Sequence, residues 1–238
     1  MASFYLMKLT MLFLVIKIRI NKLKFEGKME KQDSQMAPNS YHHGNLRQTL
    51  IETGIEYVSK HGDHALSIRK LSSLCGVTHT AIYSYFKNKD ALIDAMKDYV
   101  CEEFANSMEK EVAAANQQIP QETVYALATG YVRFFLANPR YYYFIFSRED
   151  ININFDDIDE INSYKPFETF KKYAVPYLHY RQIPIDDQTR VLIDMWATVH
   201  GIAGIAILSG TKYSGDWIQT TKDILKKNFS INSLNSDD

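Results

Sequence analysis

The chain has 238 residues, 46% of them hydrophobic and 23% charged, which supports a folded core and excludes wholesale disorder. Its formal net charge of −1 gives no sign of a nucleic-acid partner by itself. Two cysteines, Cys75 and Cys101, both on predicted helices, exclude a disulfide-stapled scaffold and fit a reduced, cytoplasmic protein.

Residues 1–40 carry seven basic and three acidic side chains and one short apolar run, Met11 to Ile16. The run is interrupted by Lys17 and Arg19, so it is too short and too charged for a membrane span, which needs ~20 apolar residues. Cations follow the apolar part instead of preceding it, and no small-residue cleavage site appears, which argues against a secretion signal. The expectation is an N-terminal extension over 1–40, disordered or an artefact of start-site assignment, with translation beginning at Met29 or Met36. No membrane partner is expected, a membrane-associated extension being the alternative. The adjacent His42 and His43 point in different directions and lack further ligands at a metal-binding spacing, so no metal is assigned.

The first helix is predicted over Asn45 to His61, with Leu46, Leu50, Ile51, Ile55 and Val58 inward and Gly62 closing it. Ser67 then caps a second helix carrying Ile68, Leu71, Leu74 and Cys75, which Gly76 stops in a left-handed C′ conformation. Thr78 caps a third, with Ala81, Ile82 and Phe86 inward and His79, Thr80 and Tyr83 outward. Ser84 and Tyr85 are also available to face outward, with packing in the small core as the alternative weighed for Tyr85. Two short helices around a glycine-containing turn, the second polar on its outer face, read as a helix-turn-helix. Within 41–90 the balance is six Lys and Arg against four Asp and Glu, so charge alone would not single this segment out.

The runs HHGNLRQTLIETGIEYVSKHG and LSIRKLSSLCGVTHTAIYSYFKNKDALIDAM resemble the N-terminal DNA-binding domain of the TetR family of bacterial transcription regulators, over roughly residues 42–100. The resemblance makes the helix of Thr78 to Phe86 the recognition helix, with His79 and Thr80 at base edges. Tyr83 and Lys89 match the family's phosphate-binding tyrosine and lysine. Arg69 stands where some members place a base-reading arginine, and a guanidinium suits guanine O6 and N7. Ser67 adds a phosphate contact from the front of its helix. The implied DNA-binding set is Ser67, Arg69, Thr78, His79, Thr80, Tyr83 and Lys89.

Asn88 is predicted to cap a fourth helix reaching about Asn116, which in the family links the reading head to the larger domain. Further helices are predicted over Glu122 to Ala137, from Pro139 through the aromatic run Tyr141 to Phe146, over Tyr164 to Tyr180, Asp187 to Ser209, and Asp216 to Phe229. The acidic run Asp156 to Glu160 reads as a solvated loop. In the penultimate helix, Gly201, Ala203, Gly204 and Ala206 permit close approach by another helix, and Trp196, His200 and Gly201 form a W-x3-H-G pattern. That pattern resembles the C-terminal domain, named for Trp, His and Gly, found on some TetR-type heads. The last two helices are expected to pair with a second subunit through Gly201, Gly204, Ile205 and Leu208. Tyr142, Phe146, Trp196 and His200 are candidates for a ligand pocket, although a satisfied core histidine is the alternative for His200.

The sequence thus predicts an all-α protein. Its expected domains are a helix-turn-helix domain over 41–87, an effector-binding and dimerisation domain over 88–229, and a flexible tail over 230–238. The implied function is a homodimeric DNA-binding regulator, a repressor released from a near-palindromic operator by a small-molecule effector of unnamed identity. An activator or co-ligand-dependent regulator shares every feature used. From other classes come a helical enzyme and a protein-binding adaptor. No glycine-rich phosphate loop, zinc spacing or nucleophile elbow appears, and no cofactor is assigned.

Overall fold

The computed structural model describes residues 46–148, 151–158, 160–161 and 164–231. The expectations for the 1–40 extension, for His42 and His43, and for the tail past residue 231 lie outside them. Among the described residues the chain forms nine α-helices and no strand, as the all-α reading requires. They are α1 (Leu46–His61), α2 (Ile68–Cys75), α3 (His79–Tyr83), α4 (Lys89–Ala113), α5 (Pro120–Ala137), α6 (Pro139–Phe146), α7 (Lys165–Tyr180), α8 (Ile185–Ala206) and α9 (Trp217–Ile231). A 3-10 turn, Asp63–Ala65, joins α1 to α2.

The chain divides into two compact units. The first contains the described residues up to Met96 together with the segment from Tyr143 to Arg148. The second contains residues 97–142 and the described residues beyond 150. Two continuous helices contribute to both units, the boundary falling after Met96 in α4 and after Tyr142 in α6.

In the first unit, Leu50, Ile51, Ile55 and Val58 of α1 are buried with Leu71, Ile82, Phe86, Leu92 and Met96. The i, i+4 recurrence on α1 makes one apolar stripe, and α2, α3 and the start of α4 cover it. Of the residues predicted inward on α2 only Leu71 is fully buried; Ile68, Leu74 and Cys75 are half-buried. Gly76 adopts φ 65° and ψ 31°, the left-handed cap expected, and its N–H donates to the Ser72 carbonyl. A Cβ at Gly76 would meet nothing within 4 Å, so Gly76→Ala carries only a conformational penalty. That variant is expected to lower the stability of the unit by about 1 kcal/mol, read by thermal melting, with no change in helix content.

In the second unit α5 is the central element, packed against α7, α8 and α9. It begins at Pro120, two residues before the predicted Glu122, because proline suits the first helical turn, where its missing N–H costs nothing. Val124, Leu127, Tyr131, Val132 and Phe135 are buried, and so are residues on its other faces, as expected of a helix enclosed all round. Gly130 lets α4 approach: a Cβ there would lie 2.9 Å from the Met108 Cα, where backbone cannot give way. α8 starts at Ile185 and ends at Ala206, three residues short of the predicted Ser209. Pro176 lies within α7, four residues before its end. The acidic run is a loop in its described positions, gripped from below by Lys171, a buried lysine whose ammonium donates to the Ile158 carbonyl at 3.2 Å and pairs with Glu168 at 2.8 Å.

Candidate nucleic-acid interface and effector unit

The outer surface of the first unit is assembled by helix caps. Ser67 Oγ accepts from the Lys70 N–H at 3.1 Å, and Thr78 Oγ1 from the Ala81 N–H at 3.2 Å, so each hydroxyl starts its helix and keeps a proton to donate outward. The helix expected to read DNA, α3, has five residues, shorter than the predicted Thr78 to Phe86. Ile82 and Phe86, 0% and 3% exposed, pin its inner side. His79, Thr80, Tyr83 and Arg69 are exposed, Tyr83 at 54%. All seven predicted DNA-facing residues therefore belong to one unit, with donors of three kinds: hydroxyls, an imidazole and two cations.

Lys89 is half-buried and differs from the others. Its ammonium donates to the Asp63 carbonyl at 2.7 Å, leaving two of its three protons for an external acceptor. Tyr85, for which packing is the alternative, is 47% exposed. The helix has already ended by Tyr83, so the side chains of Tyr85 and Phe86 diverge, and only Phe86 turns in.

In the second unit, His200 is held between two phenols. Tyr131 Oη lies 2.9 Å from Nδ1 and Tyr142 Oη 3.0 Å from Nε2, while Tyr142 also reaches the His200 carbonyl at 3.4 Å. Burial raises the Tyr131 phenol well above its ordinary range, so it stays a donor. One proton arrangement satisfies every group: Tyr131 donates to Nδ1, Nε2–H donates to Tyr142, and Tyr142 donates to the His200 carbonyl. This is a neutral imidazole, and burial holds its pKa down at about 4. Trp196, one turn earlier, is 5% exposed and meets Tyr131, Phe167 and Phe170 edge to face at 5.2–5.5 Å. Beside this cluster lies a cavity of about 20 Å³, lined by Met108, Leu127, Tyr131, Met195, Val199 and Leu225 among others. It has room for about one water and almost no polar lining.

Residues 50–96 match the family model described as bacterial regulatory proteins, tetR family. Over that segment the chain is similar to the TetR family. The HTH-type transcriptional regulator BetI of Yersinia pestis (strain Pestoides F) is 30% identical over 84 residues, 35% of this chain and 42% of the relative. The chain thus matches less than half the length of these curated relatives. Among solved structures, a TetR-like transcriptional regulator from Rhodococcus sp. RHA1 superposes with a TM-score of 0.58 at 12% identity, covering 82% of this chain and 99% of that one. The regulator FadR of Bacillus subtilis, solved in complex with stearoyl-CoA, superposes with a TM-score of 0.54 at 16% identity, covering 75% and 95%. At those identities the likeness concerns the fold.

The first unit extends beyond the matched segment, because Tyr143 to Arg148 belong to it. Phe146, grouped by sequence with the pocket residues, belongs to this head unit, whereas Tyr142, Trp196 and His200 sit in the other. The dimer candidates also separate. Gly204 is buried, and a Cβ on it would meet Tyr142 Oη at 2.7 Å, so its small size serves a contact within the chain. Gly201 has nothing within 4 Å of a built Cβ, Ile205 is 46% exposed, and Leu208 is half-buried just past the helix. Sequence reasoning missed Tyr131, Asp63 and Arg148. Their partners lie 69 and 85 positions away, and no local spacing signals them.

Proposed function

We propose that the protein is a DNA-binding transcription regulator whose reading head docks Arg69, His79 and Thr80 at base edges while Ser67, Thr78, Tyr83 and Lys89 bond phosphates. The observation that supports this most is the exposed polar row on a capped helix whose opposite side is locked by Ile82 and Phe86, in a segment matched by the family model. Such a row presents donors to a major groove without disturbing its own core. The 41–87 segment is the DNA-binding domain and 88–229 the effector and dimerisation domain, in a cytoplasmic, homodimeric protein. It is read as a binding protein and not an enzyme, since its matched relatives are regulators.

The effector reading rests on the cavity beside Trp196 and Tyr131. Its lining selects a ligand with a mainly apolar body, and Met108 and Met195 are adaptable enough to let it widen. Ligand pockets usually measure ~300–1,000 Å³, so binding must separate the helices around it. A ligand that prefers the widened form shifts the population toward it, and repression ends if that form holds the heads out of register with successive major grooves. The FadR complex with an acyl-CoA offers a parallel for a long apolar effector.

Dimerisation through Gly201, Ile205 and Leu208 would place two recognition helices about 34 Å apart and so select a near-palindromic operator. Gly201→Leu is expected to halve the mass in solution, measured by light scattering, while leaving the helix content unchanged; an unaltered dimer would move the interface elsewhere. The regulator reading itself is tested by fluorescence anisotropy against the duplex upstream of the protein's own gene and a scrambled duplex, titrated with salt. Tight, salt-sensitive and selective binding supports it. A protein without salt-dependent affinity for any duplex, including sequences drawn from a random pool, is not a DNA-binding regulator.

A further inference from the structure

We infer that Arg148, which follows α6 and lies far from the helix-turn-helix in sequence, is a positioning residue for DNA binding, acting through Asp63 to fix the Lys89 ammonium. The inference rests on the regulator reading and assigns a role to a side chain outside the matched segment. Asp63 is a junction. Its carboxylate accepts from Arg148 at 2.8 Å, and its backbone carbonyl accepts both the Leu66 N–H at 3.2 Å and the Lys89 ammonium at 2.7 Å. The Asp63–Ala65 turn has no side-chain cap of its own and enters through Gly62 at φ 79°; backbone bonds and the buried Leu66 hold its ends, and the Arg148 pair fixes the Asp63 side chain between them.

Energy decides what such an arrangement is for. The Asp63 side chain is 44% exposed, and an ion pair with one partner so wet contributes little to stability. Arg148, at 13% exposed, is the fixed half, resting 5.7 Å from the centroid of Phe144, which is itself buried. The pair therefore orients the turn more than it stabilises the fold. Lysine has four rotatable bonds, and immobilising such a side chain on binding is costly. An ammonium already seated on the Asp63 carbonyl, with two protons left over, has met that cost before DNA arrives. Arg148 then governs whether Lys89 is ready.

The test uses the full chain and a mixed-sequence duplex at low salt, because a phosphate contact does not depend on base identity. Arg148→Met and Asp63→Asn are each expected to weaken binding about threefold to tenfold, the scale of one unready side chain. Lys89→Ala should then cost less in either background than in the wild type, whereas Arg148→Lys, which keeps the charge, should retain most of the affinity. Asp63→Asn is the decisive variant, since it removes an anion from a DNA-facing unit, and charge alone predicts tighter binding. Tighter or unchanged binding by Asp63→Asn overturns the inference, as does an undiminished Lys89→Ala penalty in every background. Should Arg148→Met fail to fold, Asp63→Asn and Arg148→Lys carry the test. A wild-type protein that binds no duplex overturns the regulator reading as well, and the two failures are thereby told apart.

Discussion

Between pH 7.5 and 4.5 the protein is expected to lose about 2 to 3 kcal/mol of stability through His200 alone. Its imidazole is neutral in the fold, with both nitrogens engaged by Tyr131 and Tyr142, and its pKa there is about 4. In the unfolded chain an ordinary histidine titrates near ~6.5. The folded value is the lower one, so the unfolded state binds the proton first and acid favours unfolding. This contribution is whole above about pH 6.5, falls as the pH drops toward 4, and is constant below that. Urea unfolding followed by the fluorescence of buried Trp196, run on the wild type and on His200→Asn at both pH values, isolates it. The variant is expected to be weaker at pH 7.5 yet much flatter between the two. Equal acid losses in both proteins would show that other groups carry the effect.

The His200 result also explains the mixed legibility of α8. Its small residues were readable as permission for close approach, but not in which direction. Along one helix, Gly204 admits the Tyr142 ring from within the chain, Ala203 is fully buried, and Gly201 opens outward. Positions three apart on a helix lie on neighbouring flanks, so one apolar run serves two partners, and only the packing of α6 tells them apart. The same holds for Trp196 and His200. Their one-turn spacing placed them on a common face, yet the phenol that satisfies Nδ1 comes from Tyr131, 69 residues earlier.

The proposed reading head was legible for the opposite reason. Its determinants are local: Ser67 and Thr78 cap their helices three residues ahead, Gly76 supplies the left-handed stop, and Asn88 accepts from the Ala91 N–H at 2.8 Å. Such signals act within one turn of chain and are written in adjacent letters. Where the head depends on distant chain, as at Asp63 with Arg148, the sequence was silent. Tyr85 shows a third case: its type suited packing while helical spacing left it available to face outward, and it is 47% exposed.

On an operator, the exposed residues of the head are expected to fall into two groups by how their loss depends on sequence. Lys89→Ala and Tyr83→Phe should weaken binding to all duplexes alike, and Lys89→Ala should also lower the salt slope by about one unit, because one fewer phosphate is neutralised. Arg69→Ala and His79→Ala should instead cost about 1 to 3 kcal/mol against the preferred operator and far less against duplexes altered at the base each one reads. The division follows from placement. Arg69 and His79 are exposed, and no bond to another side chain ties them, so they are free to follow base edges. Lys89 is half-buried and anchored on a backbone carbonyl, a fixed point charge that can set register but cannot search. Thr80→Val separates hydroxyl readout from methyl contact at the same position. Anisotropy over a set of single-base operator variants, repeated at three salt concentrations, resolves both signatures. Were Lys89→Ala to change sequence preference, or Arg69→Ala to lower all affinities equally, the assignment of reading and positioning residues would be reversed.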